Sequence, residues 1–231
     1  MKKKHRIQQT RLSSALALAE MLHAGQTRKI GKNEDPALAV PYITHLTEVM
    51  SLMVLAHADE DQMIAGLLHD SLEDQPSLPS GAATAAVIRE NFGDRVLSYV
   101  EHCSDHVPPT GWRRLLHRSN EKGTWRGRKE RHIAHLRAAA AADPGFLLIT
   151  LCDKLSNARA IVDDVEHHGP VVWSRFNAPP TEIAWYYGQM AGLISEFADE
   201  IPHAAGLIAR LNRSVDRLAV LAAEAAAPAL S

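Results

Sequence analysis

The stretch Ala65-Gly66-Leu67-Leu68-His69-Asp70-Ser71-Leu72-Glu73-Asp74 decides how the rest of the chain is read. An apolar run ends in a His-Asp pair, and two further carboxylates, Glu73 and Asp74, follow three positions later. Adjacent side chains on a helix point about 100° apart, so His69 and Asp70 share one ion only if other segments supply the remaining ligands. Imidazole with carboxylate suits a divalent first-row metal such as manganese, iron or zinc. Glu73 and Asp74, about one turn further on, are placed to handle a proton of water at such a site. The same residues admit a plainer reading, in which Asp70 or Ser71 caps a helix end and Glu73 completes a capping box.

With 231 residues, 46% hydrophobic and 23% charged, the chain can bury a substantial core as one large helical domain or two small ones. Aromatic residues make up only 5%. Alanine is abundant and β-branched runs are short, which favours an all-α fold. A formal charge of −2 gives no overall attraction to nucleic acid, so an anionic ligand needs a local basic patch. Cys103 and Cys152, the two cysteines, lack C-x-x-C spacing. That argues against a disulfide scaffold or a cysteine zinc site and fits a reducing, cytoplasmic setting. No stretch approaches the ~20 apolar residues of a membrane span. Lys2 to Lys4 and the later run Ala15 to Ala19 do not form a signal peptide, because polar residues from His5 to Ser14 separate them and Glu20 ends the run. There is no Walker-type phosphate loop and no Ser-His-Asp signature.

In chain order, residues 1–9 are basic and expected to fray. Leu12, Leu16, Ala19 and Leu22 predict an amphipathic helix from Thr10 to about Ala24, stopped by Gly25. Arg28 and Lys29 follow, either solvated or arranged to fork onto phosphate oxygens. Pro41 opens a helix to about His57 that carries His45, which taken alone reads more simply as a structural histidine than as a ligand. Helices are predicted from Asp59 to about His69, from Ser80 to Asn91, and through Val96 to Cys103. Residues 104–124, with Pro108, Pro109 and the basic run from Arg113 to Arg118, read as a mobile loop with a short helix. Trp125 starts a long helix to Ala142.

Phe146-Leu147-Leu148-Ile149 is the core of a further helix that runs on through Asp153 to Arg159. A carboxylate after such an apolar run lies near the interior and needs a cation or a metal. Asp153 and Asn157 share a helix face, whereas Asp153 and its neighbour Lys154 are not expected to pair. That leaves Asp153 to a metal or to an arginine on another helix. Thr181 is expected to cap a helix carrying Ile183, Trp185, Tyr186, Met190 and Leu193, and a final helix spans Ile201 to Ala226.

His45, His69-Asp70, Glu73-Asp74, and Asp153 with Asn157 stand in an order that resembles the HD phosphohydrolase superfamily. The words His23-Ala24-Gly25-Gln26 with Arg28-Lys29, Pro41-Tyr42-Ile43-x-His45, Leu67-Leu68-His69-Asp70-x-x-Glu73-Asp74 and Asp153-Lys154-Leu155-x-Asn157 look like the hydrolase domain of RelA/SpoT-type alarmone enzymes. Phe92-Gly93, Ser104-Asp105 and Arg128-Lys129 fall where that family has its FG, TD and RK elements.

The resemblance covers roughly residues 10–195 and implies an all-α HD bundle with a metal site at the bottom of a cleft. It divides the chain into a flexible terminus (1–9), a hydrolase domain (10–200) and a C-terminal helix packed on that domain with a short tail (201–231). It implies Mn²⁺ held by His45, His69, Asp70 and Asp153, with Glu73 and Asp74 positioning and deprotonating water. Arg28, Lys29, Lys154, Asn157 and Trp125 would meet the nucleotide, and the 3′-pyrophosphate of ppGpp or pppGpp would be removed. The chain looks like a stand-alone small alarmone hydrolase. It departs from the family pattern at Leu46, Gln75 and Trp125, in a longer link from Lys29 to Pro41, and in the stretch from Ser104 to Trp125. The altered rim keeps an adenosine alarmone or another phosphoester open as substrate, with a non-catalytic nucleotide-binding module as the alternative outside enzymology. Its partner is then a small nucleotide rather than a membrane or a nucleic acid.

Overall fold

A computed structural model describes residues 10–31, 37, 39–75, 77–78, 83–104 and 124–227. Among these the chain is all-α, and β pairing is limited to two isolated bridges, Thr27 with Pro41 and Ser77 with Ala83. The helices are α1 (Arg11–Leu22), α2 (Ile43–Val54), α3 (Glu60–Leu68), α4 (Ser71–Asp74), α5 (Thr84–Phe92) and α6 (Asp94–Cys103), followed by α7 (Trp125–Ala140), α8 (Leu147–His168), α9 (Pro180–Glu196) and α10 (Ala205–Ala226). Three 3-10 turns, Pro144–Phe146, Pro170–Arg175 and Ala198–Glu200, lie between the later helices. The expectations for residues 1–9 and for the insertion at 104–124 fall outside the described residues, save for Ser104 and Thr124 at its ends.

The helix ends follow local chemistry. The Thr10 side chain accepts from the Ser13 N–H, and Thr124 does the same for Gly127. Asp59 and Gln62 form a reciprocal capping box at α3. Asp143 accepts from Gly145 N–H, and Pro144 leads through a 3-10 turn into α8. Gly169, at φ 77, ends that helix in a conformation glycine adopts without strain.

Three boundaries differ from the sequence reading. α5 begins at Thr84, after an extended Ala83. Thr181 lies inside α9 instead of capping it, because Pro179 is already extended and Pro180 supplies the first helical φ. α10 begins only at Ala205, since Ala198–Glu200 forms a separate turn and His203 takes a positive φ of 60.

α8 runs through the middle of the packing, against α2, α9 and α10. Leu147, Ile149, Leu151, Cys152, Leu155 and Ala158 are fully buried along it, and each large aliphatic contributes about 1.5–3 kcal/mol through burial. α3 packs on α1, α2 and α6. Its Gly66 has a practical reason to be glycine, since a Cβ there would stand 2.5 Å from the Met53 sulfur of α2. The close crossing of α2 and α3 at that point fixes the distance between the backbones that carry His45 and His69.

Candidate metal centre and its rim

Four side chains meet where the start of α2, the end of α3 and the second turn of α8 come together. His45 and His69 are each 1% exposed and Asp153 is 7% exposed. His69 Nε2 lies 3.0 Å from Asp70 Oδ2 and 3.6 Å from Asp153 Oδ1, and His45 Nε2 lies 3.8 Å and 3.2 Å from the same two atoms. Ligand atoms of His45, His69 and Asp70 all fall within 4.8 Å of one another, so these three could hold one ion. Asp70 makes no side-chain cap at the start of α4, which removes the plain capping reading for it.

The hydrogen bonds around the rings define what faces the centre. His69 Nδ1 is 2.8 Å from the Gly66 carbonyl, which can only accept, so Nδ1 carries the proton. Ser156 Oγ donates to Glu48 at 2.9 Å and therefore accepts from His45 Nδ1 at 3.0 Å. Both Nε2 atoms are thereby left with lone pairs, buried, without a hydrogen-bond partner, and facing carboxylate oxygens. Lone pairs aimed at anions in a dry site require a cation between them. Two ligands at about 2.1 Å from an ion stand about 3.0–3.4 Å apart, close to the spacings here. The donor set fits a divalent ion bound through nitrogen and oxygen.

The charges point the same way. Burial opposes a charged His69, yet the carboxylates of Asp70 and Asp153 outweigh it and hold the ring well above its ordinary pKa. Burial also works against ionised Asp70, but His69 and His45 bring it down to about 2. Asp153 is held well below the carboxylate range, where burial is overcome by Lys154 and the two histidines. In this geometry a proton on His69 would offset the carboxylate charge as a metal would.

One expectation is overturned. Lys154 Nζ donates to Asp153 Oδ2 at 2.7 Å. Adjacent positions diverge at Cβ, but the four-carbon lysine stem is long enough to bend back to its neighbour. Asn157 Nδ2 donates to the other oxygen at 2.5 Å, and Arg28 Nη2 donates to Asn157 Oδ1 at 3.0 Å. Arg28, Asn157, Lys154 and Asp153 are thus one connected set.

Glu73 and Asp74 are exposed beside the cluster, on α4. Asp74 Oδ2 accepts from Gln26 Nε2 at 2.8 Å, and Gln26 Oε1 accepts from His23 Nδ1 at 2.8 Å. Tyr42 donates its hydroxyl to Asp70 Oδ2 at 2.5 Å and stacks on His23, ring centroids 5.2 Å apart. These supports escaped the sequence reading as roles, although His23, Gln26 and Tyr42 stand within the quoted words.

The rim is cationic and aromatic. Lys129 Nζ sits 4.7 Å and Lys154 Nζ 5.7 Å from the Tyr186 ring centroid. Half-buried Trp125 meets Tyr186 edge-on at 6.1 Å, so it packs as well as faces the rim. Lys29 is exposed, with Nζ 5.7 Å above Phe176. Tyr186 was visible in sequence only as part of a helix face.

A family model described as HD domain matches residues 15–182. The chain belongs to the HD domain family. Its HD region is 30% identical over 150 residues to the guanosine-3′,5′-bis(diphosphate) 3′-pyrophosphohydrolase of Aquifex aeolicus, covering 65% of this chain and 18% of that protein. It is likewise 30% identical over 154 residues to the bifunctional (p)ppGpp synthase/hydrolase SpoT of Escherichia coli K12, again 65% and 18%. The chain therefore spans about a fifth of the length of the curated relatives it matches. Among solved structures, a metazoan ortholog of SpoT, described as hydrolysing ppGpp, shares the fold with a TM-score of 0.62 at 23% identity, covering 92% of this chain and 97% of that one. A Listeria monocytogenes EGD-e protein superposes with a TM-score of 0.58 at 25% identity over 76% of this HD chain and 99% of its own. No helix among the described residues is long and apolar enough to cross a membrane.

Proposed function

We propose that this HD protein is a metal-dependent phosphohydrolase that removes the 3′-pyrophosphate of ppGpp or pppGpp, releasing pyrophosphate and leaving GDP or GTP. The observation that carries this reading is the convergence of two histidine lone pairs with Asp70 and Asp153 beside a tethered carboxylate, Asp74. Similarity to relatives named for that reaction supports the choice of substrate. His45, His69, Asp70 and Asp153 would hold the ion, and manganese suits the nitrogen and oxygen set. Such an ion supplies Lewis acidity to a phosphoryl oxygen and acidifies water.

The chain's own residues do the rest. Asp74, oriented by Gln26, receives the proton of the attacking water, and Glu73 stands next to it on α4. Arg28 and Lys154 offset phosphate charge, with Arg28 oriented by Asn157. Trp125, with Tyr186, gives the purine a flat wall. The two free thiols, Cys103 and Cys152, accord with a cytoplasmic setting.

A panel of ppGpp, pppGpp, ppApp and nucleoside monophosphates with Mn²⁺, resolved by ion exchange, tests the reading. Pyrophosphate release from the guanosine alarmones is expected. Preference for ppApp would move the assignment to adenosine alarmones, and orthophosphate release from monophosphates alone would overturn it.

A further inference from the structure

A groove of about 320 Å³ lies between α8 and α10. Arg159 and Asp163 line it from α8, and Arg210, Arg213, Ser214 and Arg217 from α10. The three α10 arginines are spaced by three and four residues, so they form one stripe down the helix. Like charges in that register repel by a few tenths of a kcal/mol per pair, and the chain as a whole carries −2. The concentration of guanidinium groups is therefore local and works against helix stability.

Part of the charge is already committed. Arg217 Nε donates to Glu166 at 2.6 Å, and Arg159 Nη1 lies 3.6 Å from Glu48. Asp163 brings one negative charge into the groove. Arg210 and Arg213 make no ion pair among the described residues, although Asp163 lines the same groove. Guanidinium is a planar fork matched to phosphate oxygens, and two adjacent forks match two linked phosphates better than one. The volume sits at the lower end of the range for small-molecule sites and is too small to enclose a macromolecule.

We propose that this groove is a second anion site, taking a small molecule with two or more linked phosphates, held mainly by Arg210 and Arg213 with the Ser214 hydroxyl as an added donor. None of its lining residues belongs to the metal cluster or its rim, so the assignment stands independently of the reaction proposed above. The linked phosphates could be those of an inorganic polyphosphate or of a 5′-nucleotide.

The test is calorimetric titration of the metal-free 231-residue chain with inorganic tripolyphosphate and, separately, with GTP. Saturable binding is expected in the wild type and in Arg28→Ala, and affinity about tenfold or more lower in Arg210→Gln/Arg213→Gln. Both residues are solvent-accessible, and circular dichroism checks that the variant is folded; if the double variant does not fold, Arg213→Gln alone should show the weakening. Tripolyphosphate and GTP binding alike assigns the phosphate chain as the recognised group, and GTP alone adds the nucleoside. An unchanged titration in the folded variant overturns the site. So does loss of binding in Arg28→Ala, which would place the anion at the metal rim. Binding of a single-stranded oligonucleotide through these arginines without any response to tripolyphosphate overturns the small-molecule assignment.

Discussion

Ser156→Ala removes the hydroxyl that accepts from His45 Nδ1 at 3.0 Å and donates to Glu48 at 2.9 Å. His45 then loses the partner that fixes its tautomer and aims Nε2 at the centre. Loss of such a support typically costs 10–100-fold in metal affinity. At free Mn²⁺ about a hundred times the wild-type dissociation constant, binding stabilises the wild type by about 2.7 kcal/mol, and the variant by only about 1.4 to 0.4 kcal/mol. For a chain of this size 1 kcal/mol moves Tm by about 2–4 °C. The metal-dependent rise should then be about 5–11 °C in the wild type and about 1–6 °C in the variant. The assay is thermal unfolding with and without Mn²⁺ on chelator-stripped, dialysed protein. The metal-free variant should also be less stable, by about 1–3 kcal/mol for the unsatisfied buried groups, so the comparison is the shift and not the absolute Tm. An equal metal-dependent shift in both proteins would refute the reasoning that Ser156 orients a metal ligand.

Gln26→Leu should lower kcat by about tenfold or more while metal content stays at the wild-type level, because Asp74 keeps its charge but loses its orientation; Asp74→Asn should lie within the ~10²–10⁴ loss typical of proton handling. Arg28→Ala should raise KM for ppGpp far more than for a monophosphate ester, since uniform binding to a distal phosphate appears in KM; equal effects on both substrates would sink the clamp. His135, stacked on His102 at 6.0 Å, has its pKa lowered by partial burial and by the charges of His102 and His132. Its folded state favours the neutral ring, so as pH falls below the ordinary 6.5 the unfolded chain takes the proton first and stability declines. His135→Gln should flatten the Tm profile between pH 7 and 5, and an unchanged slope would show that other groups set it.

What the sequence made legible was local or carried in motifs. The apolar run at Phe146 to Ile149 pointed to α8, and the words around His45, His69 and Asp153 pointed to side chains that the fold brings together, because each piece of the pattern is short. The supports were not legible. Ser156 stands 111 positions from His45, and Gln26 stands 48 from Asp74; only the packing of α2 on α8 and the turn after α1 bring them together. Asp153 with Lys154 was misjudged because backbone directions were given more weight than the reach of a flexible stem. Thr181 was misjudged because two prolines set the helix start one residue earlier than the side chain that could have capped it.

The bridge between Thr27 and Pro41 is closed by backbone bonds, from Arg28 N–H to the Val40 carbonyl and from Tyr42 N–H to the Gln26 carbonyl, both 2.9 Å. Gln26 and Tyr42, which orient Asp74 and Asp70, therefore stand on the two sides of a stapled neck. The closure entropy of the chain between Lys29 and Ala39 grows only logarithmically, at about 0.6 kcal/mol for each doubling of length. Added length at this point in the chain is thus thermodynamically cheap. It is a place where chain can be added or removed while the paired neck goes on holding Gln26 and Tyr42 in register.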